Sequence, residues 1–205
     1  MLVKVCGIAD QEFLHRIDEI QIDFIGFIFY QRSKRYIADK IPANQILSIP
    51  KHIKKVGVFV NEKIENIIDI ANHYHLDFIQ LHGDEDVSFI NQLSKRNQII
   101  KAFRIDNDIE FEKLTPYESA CTYFLFDTKD QLYGGTGKKF NWELLQNYKG
   151  STPFLLSGGI TPNDIKQIKE FNHPMLMGID INSGFETKPG IKEINQIEIF
   201  INHLK

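Results

Sequence analysis

The sequence predicts a compact (β/α)8 TIM barrel of the α/β class, forming a single domain over residues 1–205, because short apolar runs alternate along it with amphipathic segments. The runs are rich in β-branched and aromatic residues and are apolar at consecutive positions, as in strands buried on both faces of a parallel sheet. Eight such units favour a closed barrel, since an open sheet of eight strands would be long for this chain. The predicted strands are 2–6, 24–29, 55–60, 78–82, 99–103, 123–127, 154–157 and 176–181.

Amphipathic segments between these runs predict the helices of the barrel. Apolar residues at helical spacing follow the third run, at Ile64, Ile67 and Ala71. Residues 191–204 predict a helix that closes the chain. The connection at 106–119 is the exception, because a proline and scattered acidic residues disfavour a regular helix there.

Composition and charge exclude several classes of function. The net charge is −3 and the charged residues are spread along the chain, so no basic stripe predicts binding to DNA or RNA. No apolar stretch approaches the roughly 20 residues that span a bilayer, and no signal-peptide core opens the sequence, which predicts a cytoplasmic protein. Cys6 and Cys121 lack the paired spacing of a metal or redox motif, so neither a metal site nor a disulfide is predicted.

Polar side chains end several of the predicted strands. The catalytic residues of a (β/α)8 barrel lie at the carboxyl ends of its strands, so these positions are the candidates for chemistry. Because all eight carboxyl ends surround one mouth, residues distant in sequence are expected to meet there. The strand-end candidates are Cys6, Gln80, His82, Asp127, Ser157 and Asp180.

Two glycine-containing loops follow the seventh and eighth strands, where barrel enzymes place their phosphate site. Glycine allows the backbone to approach an anion closely, and Thr161 with Pro162 fits the start of a helix whose free N–H groups favour phosphate. The alternative interpretation is that each loop is only a tight turn. The predicted phosphate-binding residues are Gly158, Gly159, Asn182, Ser183 and Gly184.

A third glycine-rich segment, residues 134–139, does not fit a nucleotide-binding motif. A Walker A loop would need glycine in place of Leu132 and a hydroxyl in place of Lys139. A dinucleotide fingerprint would need glycine in place of Phe140. The segment is interpreted instead as a lid or connector after the sixth strand.

Six motifs occur together in one order along residues 3 to about 192. This set resembles the phosphoribosylanthranilate isomerase family of tryptophan biosynthesis, with one departure, Lys34 in place of the family's usual proline. The motifs are Lys4-Val5-Cys6-Gly7-Ile8, Ser33-Lys34-Arg35-Tyr36, Gln80-Leu81-His82-Gly83, Phe126-Asp127 with Gly134-Gly135-Thr136-Gly137, Leu156-Ser157-Gly158-Gly159-Ile160, and Gly178-Ile179-Asp180-Ile181-Asn182-Ser183-Gly184-Phe185-Glu186.

The resemblance implies an Amadori rearrangement of N-(5-phosphoribosyl)anthranilate to the 1-deoxyribulose 5-phosphate derivative, with no metal and no organic cofactor. It implies Asp127 as the general acid and Cys6 as the general base. It further implies that Arg35 pairs with the anthranilate carboxylate, that His82 lines the site, and that Asp180 orients the ribose hydroxyls or the thiol. Taken alone, Asp127 could be a capping residue, Cys6 an inert buried thiol and Arg35 a solvated charge.

Two other functions fit parts of the same pattern. Another phosphosugar-handling barrel would share the two phosphate loops, but an epimerase is expected to carry metal-binding histidines at several strand ends, where only His82 stands. An indole-glycerol-phosphate synthase is expected to place a lysine at a strand end as its general acid, and none of the predicted strands ends in one. A non-catalytic phosphosugar-binding protein is the third possibility, because fold alone does not determine function. The expected partner is a small phosphoribosyl molecule, and both a monomer and a homodimer are compatible with the sequence.

Overall fold

Eight parallel strands form a closed barrel in sequence order, which confirms the predicted fold. The computed structural model describes residues 1–37, 40–128 and 139–205. The strands are β1 Leu2–Cys6, β2 Phe24–Ile28, β3 Lys54–Phe59, β4 Phe78–Leu81, β5 Gln98–Ile105, β6 Tyr123–Thr128, β7 Phe154–Leu156 and β8 Leu176–Ile181. Strand β8 pairs with β1 and closes the sheet. Each predicted strand end lies within about two residues of the observed one.

Short helices cover the outside of the barrel. The α-helices are α1 Gln11–His15, α2 Ala43–Leu47, α3 Ile64–Tyr74, α4 Val87–Ser94, α5 Ile165–Glu170 and α6 Ile194–Leu204. Helix α3 buries Ile67 and Ala71, two of the residues whose spacing predicts it. Across the described ranges, we find no helix with the length and apolar character needed to cross a membrane.

The connection between β5 and β6 is irregular, as predicted for residues 106–119. It contains a 3-10 helix, Phe111–Ala120, with Pro116 inside it. Proline supplies no backbone N–H and clashes with the preceding turn of an α-helix, so this segment does not form one. Its apolar residues Phe111 and Leu114 are nevertheless buried against the barrel.

The closing helix starts later than predicted. Residues 191–204 were expected to be helical, but Ile191–Lys192 forms strand β10, which pairs antiparallel with β9, Glu186–Lys188. The side chain of Lys192 is buried against polar groups of the preceding loop, and this contact holds the segment extended. Helix α6 therefore begins at Ile194.

The inside of the barrel has an apolar floor. A cluster of buried side chains fills it, with the rings of Phe24 and Phe78 meeting edge to face at 5.4 Å. The cluster consists of Phe24, Val56, Phe78, Ile100, Ala102, Leu125 and Leu155. Because side chains alternate between the two faces of a strand, residues two positions further along also point inward, toward the carboxyl ends.

Candidate active site

Polar side chains lie on the inner face of the barrel at its carboxyl-terminal mouth. Asp127 stands two residues after Leu125 of the apolar floor, on the same face of β6. Lys4 is in register with Phe24 of the floor, so Lys4 and Cys6 face inward from β1. Lys4 is also in register with Asp180 of β8. The predicted acid and base therefore point into the same mouth from β6 and β1, with only β7 and β8 between them.

Cys6 is buried at the end of β1, with 3% of its surface exposed. Its neighbour Gly7 has φ +74°, a left-handed conformation that glycine adopts without strain. On the adjacent strand, a Cβ at Gly26 would lie 2.7 Å from the Cys6 Sγ, so this position has room only for glycine while the thiol stays in place. Two glycines thus set the position of the thiol.

Lys4 and Asp180 form an ion pair directly below the thiol. The Lys4 Nζ lies 2.8 Å from the Asp180 Oδ1, and neither side chain is open to solvent. Ser157, at the end of β7, lies with its Oγ 3.3 Å from the other carboxylate oxygen of Asp180. Burial lowers the pKa of Lys4, but the charges of Asp180 and of the Cys6 thiolate outweigh burial, so the pKa of Lys4 is raised. Lys4 is therefore cationic.

The thiol of Cys6 lies in a field of opposing charges. Burial raises its pKa, because an anion is poorly solvated inside the barrel. Lys4 and Lys192 lower the pKa of Cys6 and Asp180 raises it, and the net direction is upward. In the free protein the thiol form is therefore favoured at neutral pH, and thiolate formation depends on nearby positive charge.

Asp127 contacts His82 at the end of β4. The His82 Nε2 lies 3.2 Å from the Asp127 Oδ2, off the angle of a hydrogen bond, and the other carboxylate oxygen accepts from the Thr128 backbone N–H at 2.8 Å. The Gln80 Nε2 lies 3.0 Å from the His82 Nδ1. If the amide donates to Nδ1, the neutral imidazole carries its proton on Nε2, facing Asp127. His82 thus lies beside Asp127, and the side chain of Gln80 orients it.

Arg35 lies at the mouth but is bound by a partner that the sequence analysis missed. One edge of its guanidinium donates two hydrogen bonds to the Glu186 carboxylate, at 2.8 Å from Nε to Oε1 and 2.6 Å from Nη2 to Oε2. A Cβ at Gly7 would lie 2.7 Å from the Arg35 Cδ, which places the arginine beside the Cys6–Gly7 turn. Burial raises the pKa of Glu186, but Arg35 and Lys192 outweigh it, so the pKa is lowered.

Lys192 is the second residue that sequence analysis missed. Its Nζ donates to the Asn182 side-chain oxygen at 2.7 Å and to Glu186 at 2.8 Å. Burial is the largest influence and lowers the pKa of Lys192 to about 8. Lys192 therefore joins the loop after β8 to the carboxylate that holds Arg35.

The loops after β7 and β8 carry the predicted phosphate-binding residues and pack against each other. Gly158 and Gly159 have φ +89° and +66°, a left-handed conformation that favours glycine at both positions. A Cβ at Gly184 would lie 2.1 Å from the carbonyl oxygen of Ile160, so the two backbones touch there. Asn182 and Ser183 precede this contact, and Asn182 faces Gly7 as well as Lys192. The five predicted residues thus form one continuous wall of the mouth.

The start of the helical segment after β7 is capped as the sequence suggests. The backbone N–H and the hydroxyl of Thr161 both donate to the Asp164 Oδ2, at 2.6 and 2.9 Å. Lys139 also contacts Asp164. Burial raises the pKa of Asp164, but these partners outweigh it and the pKa is lowered. Of the glycine-rich segment 134–139, interpreted as a lid or connector, residues 134–138 lie outside the described residues.

Within the described ranges, no cluster of three or more His, Cys, Asp and Glu side chains is arranged to hold a metal ion. The residues that sequence analysis missed are Lys4, Gly26, Glu186 and Lys192. Lys4 had a detectable signal, because it stands two residues before Cys6 and alternation places both on one face. Gly26 had none, because its contact with Cys6 crosses to a neighbouring strand. Lys192 had none, because it stands in a segment whose spacing predicts a helix.

Comparison with known proteins identifies the family of this chain. The family model described as "N-(5'phosphoribosyl)anthranilate (PRA) isomerase" matches residues 3–203. N-(5'-phosphoribosyl)anthranilate isomerase of Parabacteroides distasonis is 46% identical over 207 residues, covering 100% of this chain and 93% of that protein.

Solved structures give the same result. Phosphoribosyl anthranilate isomerase of Thermotoga maritima is 35% identical, with a TM-score of 0.86 over 100% of this chain and 98% of that chain. A phosphoribosyl anthranilate isomerase in complex with reduced 1-(o-carboxyphenylamino)-1-deoxyribulose 5-phosphate is 31% identical, with a TM-score of 0.83 and the same coverage. The chain belongs to the N-(5'-phosphoribosyl)anthranilate isomerase family.

Proposed function

We propose that this protein isomerises N-(5-phosphoribosyl)anthranilate to 1-(2-carboxyphenylamino)-1-deoxyribulose 5-phosphate, a step of tryptophan biosynthesis, using Asp127 as acid and Cys6 as base. The observation that carries the proposal is the placement of both side chains on the inner face of one mouth, beside the two glycine loops. A related isomerase has been solved with a reduced form of this product, which supports the same ligand here.

Asp127 begins the reaction in this proposal. Its carboxyl proton passes to the ring oxygen of the ribose, the bond from C1 to that oxygen breaks, and an iminium forms between C1 and the anthranilate nitrogen. His82 contacts the carboxylate that remains. An imidazole at this distance stabilises the negative charge left on Asp127.

Cys6 completes the rearrangement. Its thiolate removes the proton from C2 of the opened sugar, and the electron pair of that bond neutralises the iminium to give an enolamine. The enolamine tautomerises to the C2 ketone. The positive iminium and the lysines near Cys6 both favour the thiolate over the neutral thiol.

Different residues bind different parts of the substrate in this proposal. We assign the phosphate to Gly158, Gly159, Asn182, Ser183 and Gly184, whose loops meet at the Gly184–Ile160 contact. Arg35 would bind the anthranilate carboxylate through two parallel hydrogen bonds, as it does Glu186. Asp180 would orient the thiol through Lys4. We propose that the whole chain, 1–205, acts as one catalytic domain in the cytoplasm, without a cofactor, as a monomer or homodimer.

A fluorescence assay of phosphoribosylanthranilate consumption tests this function. The wild-type protein should consume the substrate, whereas Asp127→Asn and Cys6→Ser should bind it and lose about 10²- to 10⁴-fold in kcat. Cys121→Ser is the matched control and should retain activity, since Cys121 precedes β6 and therefore lies at the end of the barrel opposite the mouth.

Two outcomes would count against the assignment. Normal turnover by Asp127→Asn or Cys6→Ser would show that another group transfers the proton. Binding of substrate without any turnover by the wild type would favour the non-catalytic phosphosugar-binding alternative, and turnover of a different phosphosugar would favour another barrel enzyme.

A further inference from the structure

A buried ammonium lies beneath the proposed base. Lys4 is wholly inaccessible to solvent and stands two residues before Cys6 on the inner face of β1. Its Nζ lies 2.8 Å from the Asp180 Oδ1, and alternation along β1 places the Cys6 side chain next to it on the same face. Lysine is almost never fully buried unless it is paired, so a lysine at this position needs an explanation.

Charged side chains of both signs lie near Cys6. Close contacts link three cations, Lys4, Lys192 and Arg35, with two carboxylates, Asp180 and Glu186. The carboxyl of Asp127 faces the same mouth. Of the three cations, Lys4 stands on the same strand and the same face as Cys6, so its ammonium is placed to favour a thiolate there.

We propose that Lys4 is a positioning residue that stabilises the thiolate of Cys6, and that Asp180 holds the Lys4 ammonium in place for this role. The role of that thiolate in removing the C2 proton rests on the function proposed above. The thiolate forms when the thiol releases its proton to solvent, and during turnover the thiolate accepts the proton of C2 and becomes a thiol again.

Two substitutions should act on the thiol in opposite directions. Lys4 lowers the pKa of Cys6 and Asp180 raises it, although burial is the largest influence. Lys4→Met removes the stabilising cation. Asp180→Asn removes the opposing anion and keeps an oxygen that can still accept from the Lys4 Nζ. The first should therefore disfavour the thiolate and the second should favour it.

The experiment is a pH titration of the thiolate by its ultraviolet absorbance in the full chain. Cys121→Ser provides the background, and the same protein with Cys6→Ser is subtracted to remove the signal of the tyrosines. At a fixed pH below the midpoint, Lys4→Met should lower the thiolate fraction about tenfold and Asp180→Asn should raise it. The midpoint of the acid limb of the kcat/KM profile should move to higher pH in Lys4→Met and to lower pH in Asp180→Asn.

Lys101→Met is the matched control. Lys101 is equally buried on another strand of the same barrel, and its Nζ lies 2.9 Å from the Glu85 Oε2, so it tests the loss of a buried ion pair away from Cys6. Its substitution should leave the Cys6 titration unchanged.

An unchanged titration in Lys4→Met, or an equal shift in Lys4→Met and Lys101→Met, would overturn the inference. If Lys4→Met does not fold, the test rests on Asp180→Asn. A thiolate fraction of Cys6 that does not rise in Asp180→Asn contradicts the inference. The titration needs no substrate. If the wild-type protein does not turn over the substrate but its Cys6 titration still depends on Lys4, the proposed function is wrong and the role of Lys4 holds.

Discussion

At the scale of single residues, the geometry of the barrel mouth depends on steric fit as much as on charge. Gly26 is an example, because a side chain there would collide with the Cys6 Sγ at 2.7 Å. Cys6 is identifiable from its place at a strand end, but Gly26 is not, since its contact crosses to a neighbouring strand. The position of the thiol therefore depends on a residue that carries no chemistry of its own.

We expect Gly26→Ala to displace the thiol and lower kcat by about tenfold or more, because small misplacements at a reacting centre are costly. Overpacking should also reduce the free energy of unfolding by about 1–3 kcal/mol. Steady-state kinetics and urea unfolding measure the two effects. Gly57→Ala is the control, since a Cβ there would meet Leu76 at 2.4 Å, and it should cost stability without lowering kcat. An equal loss of kcat in both variants would contradict this role of Gly26.

Arg35→Ala should raise KM by about tenfold or more and change kcat less, because the guanidinium is proposed to bind the substrate carboxylate rather than to transfer a proton. Kinetics over a range of substrate concentration measure both constants. Arg16→Ala, which removes an arginine paired with Glu19 and Glu198 among the outer helices, is the control. A fall in kcat at unchanged KM would be incompatible with a binding role for Arg35.

At the scale of secondary-structure elements, the hairpin of β9 and β10 completes the mouth. It supplies Glu186 and Lys192, which connect the Arg35 loop to the loop after β8. Helical periodicity extends back to residue 191, but burial of the Lys192 ammonium outweighs this local preference and keeps the segment extended. The late start of α6 is thus a consequence of how the site is built.

Lys192→Met should raise KM by about tenfold, because Asn182 of the phosphate wall loses the cation that fixes its side chain. Inhibition by inorganic phosphate should weaken to a similar extent. Lys188→Met removes an exposed lysine of the same hairpin and is the control for both measurements. Equal phosphate inhibition of Lys192→Met and the wild type would show that Lys192 does not support the phosphate wall.

At the scale of the whole molecule, closure of the barrel brings together strand ends that are far apart in the chain. Lys4 and Asp180 are 176 residues apart in sequence and adjacent in register. The same closure removes their charges, and that of Lys192, from water, so the stability of the fold depends on the protonation of the site.

Lys192 should make the free energy of unfolding increase with pH between about pH 8 and 10.5. Its pKa is about 8 in the folded protein and 10.5 as its ordinary value, so the folded chain binds fewer protons than the unfolded chain in that window. Urea unfolding of wild type and Lys192→Met across this range measures the effect, since most other titrations cancel in the difference. A difference independent of pH would show that the lysine keeps its ordinary pKa.

Sequence alone determined the barrel, its strand ends and the identities of Cys6 and Asp127 as strand-end candidates, because these follow from local apolar runs and from a motif order within the chain. Irregularity near Pro116 was also a local property. Only the tertiary structure decided which charges meet, including Lys4 with Asp180 and Glu186 with Arg35. Such pairs depend on strand register and barrel closure, and no local pattern encodes them.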